Sequence, residues 1–218
     1  MLQDCRKIDS MFSSCPIVAL LTAKCPSAAV SIASALAHGG ITVIEVVLRT
    51  PAALQCIIAL KSIDREIIVG AGTVLNTTQL SSVIDAGADF VVTPGITKEL
   101  LMFAEKIAVP LLPGIATPSE IMSLMGYGYH RLKFFPAEAA GGERFLKSMQ
   151  DPFPGVKFYP TGGINCWNAP RYVSLANVMC VGGSWIVPQD AIDEKNWPKI
   201  ERLARAAISL CSSSRISD

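Results

Sequence analysis

One lysine stands within a short apolar run, residues 131–135, that is typical of a buried β-strand. An ammonium ion is costly to bury, and desolvation favours the neutral amine, which is a nucleophile toward carbonyl carbon. Lys133 is therefore a candidate for a covalent Schiff base with a ketone. Its position alone leaves a structural alternative open, in which the side chain extends outward to water or pairs with a buried carboxylate.

A carboxylate and a guanidinium mark a second apolar run, residues 41–49. Side chains on a strand alternate with a period of two, which places one set on a common face: Ile41, Val43, Glu45, Val47 and Arg49. If that face points inward, Glu45 is a candidate general acid/base and Arg49 a candidate clamp for a substrate carboxylate. The alternative is a plain Glu45–Arg49 ion pair at the rim of the fold.

A third candidate site is the glycine-containing segment 69–74, Val-Gly-Ala-Gly-Thr-Val. Glycines allow a substrate to approach the backbone closely, and the Thr73 hydroxyl can donate to a carboxylate. The segment also resembles the start of a dinucleotide-binding G-x-G-x-x-G turn, but Leu75 occupies the position of the third glycine. The dinucleotide interpretation therefore fails, while a simple tight turn stays open.

Two Gly-Gly loops, residues 160–164 and 181–185, form the fourth candidate site. Exposed backbone N–H groups next to small hydroxyls make a cradle for an anion. Either Gly-Gly pair alone would indicate only a turn. Both follow late strands of the chain, and this pairing predicts a phosphate site.

The elements that position these groups repeat along the chain. Eight apolar, β-branched runs begin 20 to 26 residues apart, near Pro16, Ile41, Ile67, Asp89, Val109, Arg131, Val156 and Val178. A short helical segment fits after each run, so the pattern predicts eight βα units in one α/β domain, residues 1–218. We interpret this domain as a (β/α)8 TIM barrel, with a doubly wound sheet of five or six strands as the alternative. Barrels of this type place working residues at the carboxyl ends of their strands and bind phosphate after strands seven and eight.

Composition excludes several other classes of protein. Half of the 218 residues are apolar, yet no run approaches the roughly 18 apolar residues of a membrane span. The net charge of +1 gives no field for nucleic acid or an anionic membrane. Seven cysteines without C-x-x-C spacing and only two histidines predict reduced thiols and no metal site. The charged first 14 residues show no secretory signal, so a cytoplasmic location is expected.

Together these motifs resemble the 2-keto-3-deoxy-6-phosphogluconate (KDPG) and 4-hydroxy-2-oxoglutarate (KHG) aldolase family. The resemblance runs from Pro16 to Pro188 and is carried by seven motifs in the family's order. They are the segments 45–50 (EVVLRT), 69–74 (VGAGTV), 94–95 (PG), 113–114 (PG), 133–138 (KFFPAE), 160–164 (PTGGI) and 182–185 (GGSW).

The resemblance implies a class I aldolase in which Lys133 is the Schiff-base lysine and Glu45 the proton-transferring carboxylate. By the same resemblance, Arg49 and Thr73 hold the carboxylate of the 2-keto acid. It also assigns a phosphate-binding set, consisting of Thr161, Gly162, Gly163 and Ser184. The resemblance further implies a homotrimer in carbohydrate metabolism that needs no cofactor and no metal.

Three alternatives to KDPG cleavage stay open at this point. The enzyme could prefer the phosphogalactonate epimer or unphosphorylated KHG, because the sequence defines the two anionic ends of the substrate better than the stereochemistry at C4. Ala116, Pro118 and the pair Ala139–Ala140 differ from some members of the family and leave substrate breadth open. A phosphosugar isomerase or decarboxylase would use Lys133 only electrostatically, and a non-catalytic sensor would only bind sugar phosphates.

Overall fold

The computed structural model describes residues 3–13, 15–63 and 66–215. Its strands are β1 (Ile17–Leu21), β2 (Val43–Val47), β3 (Ile68–Gly72), β4 (Phe90–Val92), β5 (Leu111–Leu112), β6 (Gly114–Ile115), β7 (Arg131–Phe134), β8 (Lys157–Pro160) and β9 (Val181–Gly183). Its helices are α1 (Cys5–Ser13), α2 (Pro26–His38), α3 (Ala53–Lys61), α4 (Thr77–Asp85), α5 (Lys98–Ala104), α6 (Pro118–Gly126), α7 (Gly142–Ser148), α8 (Ala169–Val173), α9 (Gln189–Asp193) and α10 (Trp197–Arg215).

All strand pairs run parallel, in two sheets. One sheet has the order β5-β4-β3-β2-β1-β9, and the other has the order β6-β7-β8. Two isolated parallel bridges, Phe158–Val178 and Thr161–Gly182, connect the β8 region with the β9 region. The predicted α/β class with a parallel sheet is confirmed, whereas closure into a complete eight-stranded barrel stays a prediction.

The predicted fifth strand is divided into β5 and β6 by Pro113. Proline has no N–H group to donate to a sheet ladder, so the regular pairing is interrupted at that residue. Before Pro113 the chain pairs with β4, and after it the chain pairs with β7. The Pro113 carbonyl still accepts a hydrogen bond of 2.9 Å from the Lys133 backbone N–H. One stretch of chain therefore contacts both sheets.

Helix starts follow the capping residues that the sequence displays. The Asn76 side chain accepts from the backbone N–H of Gln79 at the start of α4, and Thr97 caps α5 in the same way. At the start of α6, Thr117 and Glu120 form a reciprocal capping box. Because these caps satisfy backbone groups that have no partner inside a helix, they determine where each helix begins.

Two helices, α1 and α9, were not predicted from the sequence, and α1 has consequences for the site. Ile8 and Phe12 are spaced i, i+4 on α1 and are both buried. The ring of Phe12 packs edge-on against Phe90 at 5.2 Å between ring centroids. Asp9 on the same helix forms a bidentate pair with Arg131, with both N–O distances 2.6 Å. Helix α1 thus packs against the amino-terminal end of the strands.

Candidate active site

A cavity of about 270 Å³ opens at the carboxyl ends of the strands. All the predicted site residues line it, namely Glu45, Arg49, Thr73, Lys133, Thr161, Gly162, Gly163 and Ser184. They come from β2, β7 and the segments after β2, β3, β8 and β9. The structure therefore brings together residues that are up to 139 positions apart in the chain, the separation of Glu45 and Ser184.

A larger hollow, of about 420 Å³, lies at the opposite end of the strands. It is bordered by Asp9, Phe12 and Lys157, and by residues just before β9. Asp9 is already engaged with Arg131, and no nucleophile–base pair faces this hollow within the described residues. The chemistry is concentrated in the smaller cavity, which agrees with the usual position of sites in parallel α/β folds.

Lys133 and Glu45 form a buried pair at the cavity floor. Lys133 Nζ donates to Glu45 Oε1 at 3.3 Å, and the two side chains are 5% and 0% exposed. Lys133 therefore does not extend outward to water. Glu45 pairs with Lys133 rather than with Arg49, so the simple rim ion pair considered for the sequence is wrong.

Energetic considerations argue against a purely stabilising role for this buried pair. Removing two charges from water costs several kcal/mol per ion, and exchanging such a pair for apolar residues is often neutral or stabilising by about 1–4 kcal/mol. A lysine amine and a carboxylate that share a cavity are instead suited to nucleophilic attack and proton transfer. The geometry therefore favours a chemical role over a structural one.

The face predicted for β2 is confirmed by the cavity. Glu45, Val47 and Arg49 all line it, as the period of two requires. Arg49 is exposed at the rim, and among the described residues none of the salt bridges involves it. A guanidinium beside the Thr73 hydroxyl can bind a carboxylate at this rim. Thr73 has a φ of 61°, a left-handed conformation that is rare for a threonine and is concentrated at functional sites.

The glycines of segment 69–74 make room for side chains of the protein. A Cβ atom at Gly70 would lie 2.2 Å from the ring of Phe90, and one at Gly72 would lie 1.9 Å from Glu45 Oε1. The space beside Gly70 and Gly72 is therefore occupied by Phe90 and Glu45, and not by a substrate as expected from the sequence. Gly72 provides the space in which the Glu45 carboxylate lies.

Replacing Gly72 by alanine is expected to lower the free energy of unfolding by about 1–3 kcal/mol, because the added methyl overlaps Glu45. Urea denaturation would measure the change. Gly126→Ala is the matched control, since a Cβ there meets no atom within 4 Å and the residue ends helix α6. This control should be neutral or slightly stabilising. Equal stability of the two variants would contradict the assigned role of Gly72.

The two Gly-Gly loops lie side by side through the Thr161–Gly182 bridge. Gly162 and Gly163 have φ values of 103° and 79°, a conformation that favours glycine. The carbonyls of Thr161 and Gly162 accept hydrogen bonds from Ala137 and Glu138, which attaches this loop to the segment after β7. The loop is consequently held against the strand that carries Lys133.

Several polar groups of these loops are available for a ligand. Thr161 Oγ1 is buried and, within the part of the chain described, makes no hydrogen bond of normal geometry, although the Tyr159 hydroxyl lies nearby, likewise next to Gly182. The backbone N–H groups of Gly162, Gly163 and Ser184 likewise donate to no backbone carbonyl among the described residues. A buried hydroxyl without a partner is costly, and a bound anion would satisfy it. This arrangement matches the anion cradle that the sequence predicts.

Sequence reasoning missed Thr22, which lines the cavity, and Tyr159, which lies behind the lining in contact with Glu45. The Tyr159 hydroxyl donates to Glu45 Oε2 at 2.8 Å, and its side chain is fully buried. A signal for it was present, because Tyr159 precedes Thr161 by two positions and so shares its face of the strand. Its contact with Glu45, however, joins residues 114 positions apart.

The described residues show neither a metal cluster nor a membrane span. No group of three or more His, Cys, Asp or Glu side chains in the described ranges could hold a metal ion. Within the same ranges, no helix is both long enough and apolar enough to cross a membrane.

Comparison with known proteins gives the chain's relatives. A family model described as "KDPG and KHG aldolase" matches residues 8–203. The KHG/KDPG aldolase of Escherichia coli (strain K12) is 46% identical over 200 residues, which cover 92% of this chain and 94% of the relative.

Two solved structures are similar over almost their entire length. The KDPG aldolase of Legionella pneumophila, with pyruvate captured at low pH as a covalent carbinolamine intermediate, is 46% identical with a TM-score of 0.89. The alignment covers 92% of this chain and 97% of that one. The Zymomonas mobilis enzyme with 3-phosphoglycerate is 42% identical with a TM-score of 0.88, and the alignment covers 94% and 96% of the two chains. The chain therefore belongs to the KDPG and KHG aldolase family of lyases.

Proposed function

We propose that this protein is a class I aldolase that cleaves KDPG to pyruvate and glyceraldehyde 3-phosphate, and also KHG to pyruvate and glyoxylate. The observation that carries the proposal is the buried Lys133–Glu45 pair, with 3.3 Å between Nζ and Oε1, at the floor of a cavity. That cavity is lined by a guanidinium and by residues of two glycine loops. Such a site suits a substrate with a carboxylate at one end and a phosphate at the other.

Lys133 begins the reaction by attacking the C2 ketone of the substrate. The amine adds to the carbonyl to give a carbinolamine, which loses water to form an iminium ion. The iminium nitrogen accepts the electron pair of the C3–C4 bond as that bond breaks, so that no free carbanion forms. The pyruvate carbinolamine of the Legionella pneumophila relative supports this first step.

Glu45 transfers the protons. Its carboxylate removes the proton of the C4 hydroxyl as the C3–C4 bond breaks, and the aldehyde product leaves. The same carboxyl group then delivers that proton to C3 of the enamine. Water hydrolyses the resulting iminium, which releases pyruvate and restores the Lys133 amine. A carboxylate next to the nitrogen is well placed for both transfers.

The two ends of the substrate are assigned to two different sets of residues that line the cavity. Arg49 and Thr73 bind the carboxylate next to the ketone. The phosphate is bound by a second set, made up of Thr161, Gly162, Gly163 and Ser184. The unpartnered Thr161 hydroxyl supports this assignment, as does the 3-phosphoglycerate bound by the Zymomonas mobilis relative.

The proposal includes the architecture around the site. The two sheets close as a (β/α)8 barrel in a single domain, residues 1–218, supported by the Phe158–Val178 and Thr161–Gly182 bridges and by the chain that passes through Pro113. We further propose a homotrimer located in the cytoplasm. Exposed apolar side chains such as Met102, Met122 and Trp167 are consistent with burial between subunits.

Borohydride trapping tests the proposed function directly. Incubation with pyruvate and sodium borohydride should reduce the iminium and add one pyruvate to the protein, and peptide mapping should locate the adduct at Lys133. Protein treated without pyruvate is the control. An adduct on another lysine would contradict the role of Lys133. Turnover with no adduct at all would contradict the Schiff-base mechanism and favour an isomerase or decarboxylase. Comparing kcat/KM for KDPG, KHG and the galactonate epimer then determines the preferred substrate.

A further inference from the structure

We propose that Tyr159 is a positioning residue that holds Glu45 in its reactive orientation, an inference that rests on the function proposed above. Tyr159 lies on β8 and is paired in register with Lys133 on β7. Its hydroxyl donates to Glu45 Oε2 at 2.8 Å, while Lys133 Nζ donates to Glu45 Oε1 at 3.3 Å. One carboxylate from β2 is thus held by donors from two neighbouring strands.

Both oxygens of the Glu45 carboxylate have a defined environment. Oε1 lies beside Gly72 and accepts from Lys133, and Oε2 accepts from Tyr159. During the proposed reaction the Lys133 nitrogen changes from an amine to an iminium and back, so its hydrogen bond to Glu45 changes as well. The Tyr159 hydroxyl undergoes no such change. It can therefore hold the carboxylate through every step.

Tyr159 is itself held rigidly. Its ring is fully buried and stacks on Phe12 of helix α1, with ring centroids 6.1 Å apart and an angle of 22° between the rings. Its hydroxyl lies next to the backbone of Gly182, where a Cβ atom would come within 2.5 Å of the hydroxyl oxygen. Helix α1 therefore packs, through Phe12, against the tyrosine whose hydroxyl contacts Glu45.

The Tyr159 hydroxyl acts as a donor and not as a base. Burial raises the pKa of Tyr159 well above its usual value, and the nearby charge of Glu45 raises it further. Cys180 adds a smaller increase, and the Thr161 hydroxyl opposes these effects without outweighing them. The phenol consequently keeps its proton at neutral pH and donates a hydrogen bond to the Glu45 carboxylate. The charged groups that share this cavity with Glu45 are Lys133 from β7 and Arg49 from the end of β2 itself.

The variant Tyr159→Phe tests this role because it removes the hydroxyl and keeps the ring. We expect the pyruvate adduct on Lys133 to form as before, and kcat to fall about 10- to 100-fold, the effect of one hydrogen bond to a charged group. KM should change less than kcat. The acid limb of the kcat–pH profile should move to higher pH, since the charged form of the carboxylate loses a donor.

A double-variant cycle separates positioning from general destabilisation. If Tyr159 acts through Glu45, Tyr159→Phe should lower kcat little further when Glu45→Gln is already present. Tyr129→Phe is the matched control, because it removes the hydroxyl of a buried tyrosine at the amino-terminal end of β7 and should leave the acid limb unchanged. Gly182→Ala is a second variant, whose Cβ would meet the Tyr159 hydroxyl at 2.5 Å and Thr161 Oγ1 at 2.6 Å. It displaces the tyrosine hydroxyl without deleting it, so it should move the limb in the same direction, and its contact with Thr161 should also raise KM.

The outcomes distinguish this inference from the function on which it rests. Additive losses in the cycle, or an acid limb that moves in neither Tyr159→Phe nor Gly182→Ala, would overturn the role of Tyr159. A lack of pyruvate adduct in the unaltered protein would instead contradict the Schiff-base mechanism itself.

Discussion

Lys133→Met is expected to lower kcat for KDPG by at least about 10⁴-fold, because none of the other described residues that line the cavity has a primary amine that could form the iminium ion. Methionine keeps the apolar stem of the side chain and removes the amine. Steady-state release of pyruvate would measure the loss, and borohydride should no longer attach pyruvate to the protein. Lys157→Met is the control, since this lysine begins the neighbouring strand β8 at the opposite end and should be dispensable for turnover.

The stability of Lys133→Met needs a separate measurement, because Lys133 is the partner of a buried carboxylate. Leaving Glu45 buried and unpaired is expected to cost about 3–5 kcal/mol. The double variant Lys133→Met/Glu45→Gln removes both charges and should recover most of that stability while staying inactive. Pyruvate release within tenfold of the unaltered protein, in either folded variant, would contradict covalent catalysis by Lys133.

Glu45→Gln is expected to lower kcat by about 10²- to 10⁴-fold, the usual contribution of a general acid/base. Glutamine has nearly the same shape but cannot accept and return a proton. Lys133 remains in place, so borohydride should still trap pyruvate on it. An adduct without turnover is therefore the expected signature of this variant, and it differs from the complete loss of adduct expected for Lys133→Met.

The control for this second prediction is Glu120→Gln. The Glu120 carboxylate accepts hydrogen bonds from the backbone of Ala116 and from Thr117 at the start of α6. Partial burial alone would raise the pKa of Glu120, but these hydrogen bonds outweigh it and lower the pKa below its usual value. The ionised Glu120 carboxylate thus stabilises the fold above the pKa that it has in the unfolded chain. This contribution is lost as pH falls through its lower pKa in the folded state. Its replacement should leave kcat nearly unchanged, and a comparable loss of kcat in both variants would refute the specific role of Glu45.

Much of the site was predictable because strand periodicity is a local property. Alternation along residues 41–49 placed Glu45 and Arg49 on one face, and the cavity contains both. Helix starts are also a local property, since Thr97 and Thr117 cap the helices that begin at the next residue. Helix α1 was missed because its apolar spacing, Ile8 and Phe12, is short and lies among charged residues.

The sequence by itself determined the α/β class, the succession of strand and helix units, the face of the strand that carries Glu45, and membership of the family. Only the tertiary structure decided that Lys133 pairs with Glu45 rather than leaving Glu45 to Arg49. It also decided that Gly72 makes room for that carboxylate and that Tyr159 donates to it. The physical reason is that periodicity sets only the direction of a side chain. The distance between side chains on different strands depends on the register and packing of the whole core, through contacts between residues 88 and 114 positions apart.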